Sequence, residues 1–327
     1  ITLLNNGAMT FTIGSGTILS TGGAAADIAI AGTTGTILFT SSGAIGATGA
    51  RLLTAVDRLG ASTISGDTFI TNDTTIDING AFAVTGNDFI LEASGGNITQ
   101  SAVITADGLK LVTSSSGTVT LASANVVTSI AASVDGAFSF TDGTGGLTVG
   151  TVDGTTGIVT TDDNVTLAVG GNLLTVGAVI TAGGGTVSLT SNTIAITAAV
   201  TGNGGISLIT DANATTIALN DGTGTFSLTE AELQFLASTG TVTIGTASGS
   251  GAINIGSAGA ITLASEGFNL SLIGASSNVV FNNGITLLNN GAMTFTIGSG
   301  TILSTGGAAA DIAIAGTNGP ILFILVF

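Results

Sequence analysis

Triplets of the form apolar, small, apolar recur along most of the chain: Val119–Thr120–Leu121, Val165–Thr166–Leu167, Val187–Ser188–Leu189, Ile194–Ala195–Ile196, Ile206–Ser207–Leu208, Ile217–Ala218–Leu219, Val242–Thr243–Ile244, Ile253–Asn254–Ile255 and Ile261–Thr262–Leu263. A period of two sends successive side chains to opposite faces of a strand, and β-branched Val, Ile and Thr suit that geometry. Each triplet thus predicts a short strand with one buried face. Val187, Leu189, Ile194, Ile196, Ile206 and Leu208 should point inward, with Ser188, Ala195 and Ser207 outward. Turn signals fall between the runs, as Asp–Gly at Asp107, Asp135, Asp142, Asp153 and Asp221 and as Asn–Gly at Asn6, Asn79, Asn283 and Asn290. Asp and Asn tolerate left-handed backbone and Gly adopts it freely, so each pair can turn the chain sharply.

Two stretches break the alternation. Residues 44–60 (AIGATGARLLTAVDRLG) hold two of the basic residues and are expected as a short helix or a loop leaving the strands. Residues 229–237 (TEAELQFLA) begin with Thr229 followed three positions later by Glu232, a capping-box pattern, and then apolar Leu233 and Leu236, which predicts a helical turn.

A much longer repeat overlies the short one. Residues 1–33 recur without change at 285–317, and the match extends over 1–39 and 285–323 with only Thr34/Asn318 and Thr36/Pro320 differing. Ile1 thus has its counterpart at Ile285 and Phe39 at Phe323. Identity over so long a run exceeds what shared composition produces, and it is expected to mark one period of a tandem array.

Many short, evenly spaced strands are compatible with a sandwich, a propeller or a solenoid. Composition separates these. Aromatic residues make up 4% of the chain, all of them Phe, so the core is built from small aliphatic side chains that suit a narrow coil. Charged residues make up only 7%. Stacked turns bring equivalent outward residues to about 4.8 Å, where like charges repel by roughly 1 kcal/mol even in water. Outward faces of Thr, Ser, Asn and Gly follow from that spacing. The expected fold is all-β, a parallel β-helix (β-solenoid) of short repeats spanning 1–327 as a single solenoid.

Three basic residues (Arg51, Arg58, Lys110) stand against nineteen acidic ones, for a net charge of −16. Neither phosphate neutralisation nor attraction to an anionic bilayer is available to such a chain, so nucleic acid and acidic membranes are excluded as partners. The uncharged window from Asn164 to Thr210 is interrupted by Gly170–Gly171, Gly183–Gly185 and Gly204–Gly205, which argues against a transmembrane helix. An outer-membrane barrel would carry Tyr and Trp girdles, and both residues are missing. The chain opens at Ile1 with no Met and no signal-peptide pattern, and is expected to be a processed form or an internal window.

The runs GNLLTVGAVITAGGGTVSLTS (171–191) and LTEAELQFLASTGTVTIGTASGSGAINIG (228–256) resemble the repeats of filamentous-haemagglutinin-type bacterial exoproteins. That resemblance implies a right-handed parallel β-helix exported to the cell surface, often by two-partner secretion, and used in adhesion or as a surface fibre. The N-terminal secretion domain of that family is not recognisable in this sequence.

Chemistry-bearing residues are sparse. Without His or Cys, the common triads, thiolate chemistry and ordinary zinc sites are closed. Asp162–Asp163 is the one carboxylate pair that could be compared with a glycosidase dyad, but adjacent strand residues face opposite ways, and a turn is the expected role. Calcium is the more reasonable ligand, through the Asp–Gly turns, but no Gly-Gly-x-Gly-x-Asp nonapeptide occurs and the acidic residues are scattered, so turn-forming is the expected role and no cofactor is expected. Asn-x-Ser/Thr sequons lie at Asn72, Asn97, Asn164, Asn213 and Asn269. Thr118/Thr120 and Thr241/Thr243 suggest the outward ranks of ice-binding solenoids, but most Thr residues sit singly between apolar ones, so no regular rank is expected. The expectation is an extracellular structural or adhesive fibre module with no catalytic, cofactor or metal residues, self-associating end to end. The alternative is an adhesin module that binds a polysaccharide or host surface, with surface glycans as its partner, and an ice-binding solenoid is a minor alternative.

Overall fold

The computed structural model describes residues 1–327 except 24, 264–267, 289–290, 307–310, 315–318 and 326–327. The Asn290 turn and the last two residues of the chain therefore lie outside the described residues. The described chain is strand and turn almost throughout, with two compact units, Ile1–Asn164 and Val165–Phe327. Each is a coil of parallel strands.

In the second unit one ladder runs through Val165–Ala168, Thr186–Thr190, Gly205–Ile209, Thr241–Gly245, Asn269–Gly274, Met293–Ile297 and Ile321–Leu325, parallel at every step. Its register stacks Val165, Val187, Ile206, Val242, Leu270 and Met293 into one inward rank. Leu167, Leu189, Leu208, Ile244, Leu272 and Phe295 form a second, and none of these twelve residues exceeds 1% exposure. Removing such a side chain from water contributes about 1.5–3 kcal/mol, so the ranks are the main source of cohesion. Ile194 and Ile196 are buried in the neighbouring ladder, whereas Ser188, Ala195 and Ser207 are half-exposed. That is the parity the triplets predict.

Turn length varies without disturbing the register. Val165 pairs with Val187 and Val187 with Ile206 after turns of similar length, but the next partner of Ile206 is Val242, far later in the chain. The long turn contains a reversal of order. Ile217–Leu219 is laid down first, and Phe226–Leu228 then pairs parallel to it on the side of Thr193–Ile196, so the later strand sits between two earlier ones. The helix Glu230–Leu233 follows, with Thr229 as N-cap and the reciprocal Thr229–Glu232 bonds of a capping box.

The first unit has the same plan. Ala8–Ile13, Thr36–Ser41 and Ser62–Ile64 succeed one another in parallel, followed by Phe82–Val84 and the first residues of Ile104–Thr113. A second ladder runs through Leu52–Ala55, Thr68–Asn72, Phe89–Ala93 and the later part of Ile104–Thr113. The long strand Val119–Val134 serves both ladders, with a register irregularity between Leu121 and Asn125.

Residues 44–60 depart from expectation. They form neither a helix nor one continuous loop: Ile45 bridges Ile18 and Thr68, and Leu52–Ala55 and Arg58–Leu59 are ladder strands. The chain leaves the ladder over 46–51, where Gly46 and Gly49 take φ of +70° and +81°, and again briefly at 56–57. The alternation is masked in sequence because Leu52 and Thr54, an apolar and a polar residue, both point inward.

The duplicated segment repeats its geometry as well as its sequence. Met9 pairs with Ile37 and its counterpart Met293 with Ile321; Thr2 pairs with Ala29 and its counterpart Thr286 with Ala313. Each copy therefore closes its turn on the same residue.

Candidate functional site

The coil spends its polar side chains on its own backbone. Parallel turns leave corner N–H groups without a strand partner, and Asp and Asn carry acceptors of the right reach. Asn6 Oδ1 accepts from Thr33 N at 2.7 Å, Asp27 from Leu53 N at 3.0 Å, Asp57 from Gly35 N at 2.8 Å, Asn97 from Thr118 N at 2.8 Å and Asp135 from Ser116 N at 2.6 Å. These bonds link positions 19 to 27 apart, one turn to the next. Inside the coil Asn72 accepts from Val56 N and donates to Val56 O and Thr74 O.

The residues singled out from sequence take part in the same bonding and turns. Among the sequons, Asn72 is wholly buried, and Asn269 Oδ1 accepts from Ala292 N. Asp162 and Asp163 lie in the turn after Ile158–Thr160; Asp162 has φ of +58° and Thr160 donates to the Asp163 carbonyl. Asp221 is 3% exposed and accepts from Thr223, Ser257 and Asn282. Burial would raise its carboxyl, but those bonds outweigh it and hold the group below the ordinary value. Among the described residues no group of three or more carboxylates converges in a way that could hold a metal ion.

The hydroxyl ranks correct the sequence reading. Thr166, Ser188, Ser207, Thr243, Ser271 and Thr294 are successive register partners on the outward side of one ladder of the second unit. Single Thr or Ser residues between apolar neighbours look scattered along the chain, yet parallel register stacks them whatever the turn length. Neighbouring hydroxyls then lie about 4.8 Å apart. The corresponding rank of the first unit, Thr12, Thr40, Thr63, Ala83, Thr105 and Val126, is interrupted.

The most elaborate polar constellation is on the outer face of the first unit. A two-stranded antiparallel hairpin, Thr151–Val152 with Thr155–Thr156, packs on Ile104–Thr113 and Val119–Val134. Its tip is Asp153–Gly154, at φ of +43° and +75°, the left-handed pair that a tight hairpin turn demands. Lys110 Nζ donates to Asp153 Oδ2 at 3.1 Å and to the Asp153 carbonyl at 2.9 Å. Thr48 Oγ1 donates to Asp153 Oδ1 at 2.9 Å, and Arg51 bridges Glu92 and Asp153. Burial opposes ionisation of Asp153, but the Lys110 and Thr48 bonds and the Arg51 charge hold its carboxyl below the usual range. Nearby Asp88 is pushed up, first by burial and then by Asp67.

Under the hairpin and the 46–51 loop, outward residues are buried. Ile90, Lys110 and Ala131 are register partners with 0%, 7% and 0% exposure, next to Phe69 at 7%. Val152 approaches the backbone so closely that a Cβ at Gly108 would lie 3.0 Å from it, and 2.4 Å from Asp88 Oδ1. An open cleft of about 530 Å³ adjoins the cluster, lined in part by Ser20, Thr21, Gly49, Arg51 and Thr71. Since Arg51 is engaged, the cleft offers hydroxyls, backbone and the apolar side chains of Ala50 and Leu53. In sequence Asp153–Gly154 reads as one turn among several; a Lys110 in the middle of an apolar run is the available signal that its outer face is covered.

No family model matches the chain, and neither a curated protein nor a solved structure matches it. No helix among the described residues is long and apolar enough to cross a membrane.

Proposed function

We propose that this chain is a structural module of an extracellular fibre, in which stacked turns extend a rod and the function is mechanical. The observation that carries the reading is the matched register of the duplicated segment, in which both copies pair equivalent residues across equal turns. A sequence period that restores the same pairing can be strung in tandem without a new joint. The resemblance of 171–191 and 228–256 to filamentous-haemagglutinin-type exoproteins supports a bacterial cell-surface setting and a shared role in adhesion. End-to-end self-association belongs to the same proposal, because successive turns present equivalent edges to one another. Fibre diffraction on flow-aligned protein tests it: a meridional reflection at about 4.8 Å is expected, parallel to the fibre axis. Particles that do not align, at any concentration, would defeat the proposal.

One observation favours a second reading, a polysaccharide-binding adhesin. The rank from Thr166 to Thr294 is uncharged and periodic, and a neutral polymer is the partner such a surface could meet along its length. Co-sedimentation with insoluble polysaccharides, lost on changing Thr243 to Lys, would select it over the purely mechanical reading.

A further inference from the structure

The hairpin at 151–156 rests on a face with unusual electrostatic content. Of the three basic residues in a chain of net charge −16, Arg51 and Lys110 both lie here. Around them stand Asp88, Glu92 and the outward apolar side chains Phe69, Ile90 and Ala131. Two copies of so acidic a chain repel over most of their surfaces. Uncovered, this face would offer a second copy both apolar area and cations to receive its carboxylates, the pairing that interface cores and their charged anchors provide. Asp153 supplies that carboxylate from within the chain, through Lys110, Thr48 and Arg51.

We propose that the hairpin is an ion-latched strap: its Asp153 occupies, within one molecule, the place that an acidic side chain of a second copy would otherwise take, and so closes this face to lateral association. The strap is separable from the coil, because Gly157 N donates to the Gly150 carbonyl at 2.8 Å and the chain enters and leaves the hairpin at one point. This inference does not depend on the fibre proposal.

Lys110 is the chain's single lysine, which makes the test direct. A zero-length carbodiimide coupling is applied to an equal mixture of isotopically light and heavy full-length protein, and Lys110-containing links are read by mass spectrometry. The parent should give a link from Lys110 to Asp153 within one chain. A variant lacking 151–156, with Gly150 joined to Gly157, should instead give mixed light–heavy links from Lys110, suppressed by high salt and lost when Phe69 and Ile90 are both changed to Thr. Asp153→Asn, which removes the carboxylate latch and so lets the hairpin lift from Phe69 and Ile90, should raise the rate of Lys110 acylation by an amine reagent at least tenfold and produce the same mixed links. If Lys110 becomes reactive in either variant while no mixed links form, the face is not closed against a second copy. Mixed links that survive the Phe69/Ile90 change, or a Lys110 no more reactive in Asp153→Asn, would equally overturn the proposal.

Discussion

Asn125 and Asp142 are register partners on neighbouring turns, one amide and one carboxyl, at 0% and 2% exposure. Asn125 is fully employed: Oδ1 accepts from Ile104 N and Gln100, and Nδ2 donates to Thr141 O and Gln100. Asp142 Oδ1 accepts from Val127 N at 3.0 Å, while Oδ2 has no partner among the described residues. Burial raises the Asp142 carboxyl from 3.8 to about 6, against the lowering effect of backbone N–H groups at Val127, Thr144 and Gly143.

Because the folded value is the raised one, the contribution of Asp142 to stability is complete below pH 3.8 and is lost as pH climbs through about 6. Relative to Asp142→Asn, the parent should therefore lose about 2 kcal/mol between pH 4 and pH 7.5. Paired urea titrations at the two pH values measure the difference. A variant and parent with parallel pH profiles would show that the carboxyl is not desolvated.

Leu189 lies between Leu167 and Leu208 in an inward rank at 0% exposure. Leu189→Asp buries a charge with no counterion and should cost more than about 4 kcal/mol, melting adjacent turns, whereas Leu189→Met should cost under about 1.5 kcal/mol. Equal costs in chemical denaturation would contradict the register.

Glu232 has two tasks. Its Oε2 accepts from Thr229 N and its Oε1 from Ile196 N at 2.9 Å, while Glu230 Oε1 accepts from Thr262 N at 2.9 Å. The helix thereby meets strand donors on two sides with carboxylates in place of carbonyls. Glu232→Ala should destabilise the second unit by about 1–3 kcal/mol and speed hydrogen exchange at Ile196; Glu230→Ala should speed it at Thr262. Unchanged exchange at those two amides would remove the helix from the bonding scheme.

Asp162 and Asp163 belong to a turn, and Asp162→Asn and Asp163→Asn should each leave the fold intact and any carbohydrate hydrolysis or lyase readout at background. A folded variant that loses a measurable activity of the parent would restore the enzyme reading.

The strands and their buried faces are legible in the sequence wherever one face meets solvent. Val187–Ser188–Leu189 shows its inward pair plainly, and Thr229 with Glu232 announces the helical turn. Phe89–Ile90–Leu91 does not, since all three are buried and the alternation disappears when a hairpin covers the outer face. The acceptor roles of Asn6, Asp27 and Asp57 are hidden for another reason. Each partner lies about one turn away in sequence, and that distance is set by loop lengths that local pattern does not encode. The hydroxyl rank from Thr166 to Thr294 escapes a reading of the sequence because register, a property of the fold, creates it.

The interleaved strand Phe226–Leu228 bears on how the second unit winds. A coil that grows from its N-terminal side adds each strand to an edge already laid. Ile217–Leu219 has no such edge when it emerges, because the strand that separates it from Thr193–Ile196 is still downstream. The chain must hold Ile217–Leu219 unpaired, fold back to fill the gap, and only then resume at Leu236–Ala237, which pairs with Val200–Thr201. Winding through this point is a two-step insertion, and a chain emerging gradually from a pore or a ribosome would pause here with an apolar strand exposed.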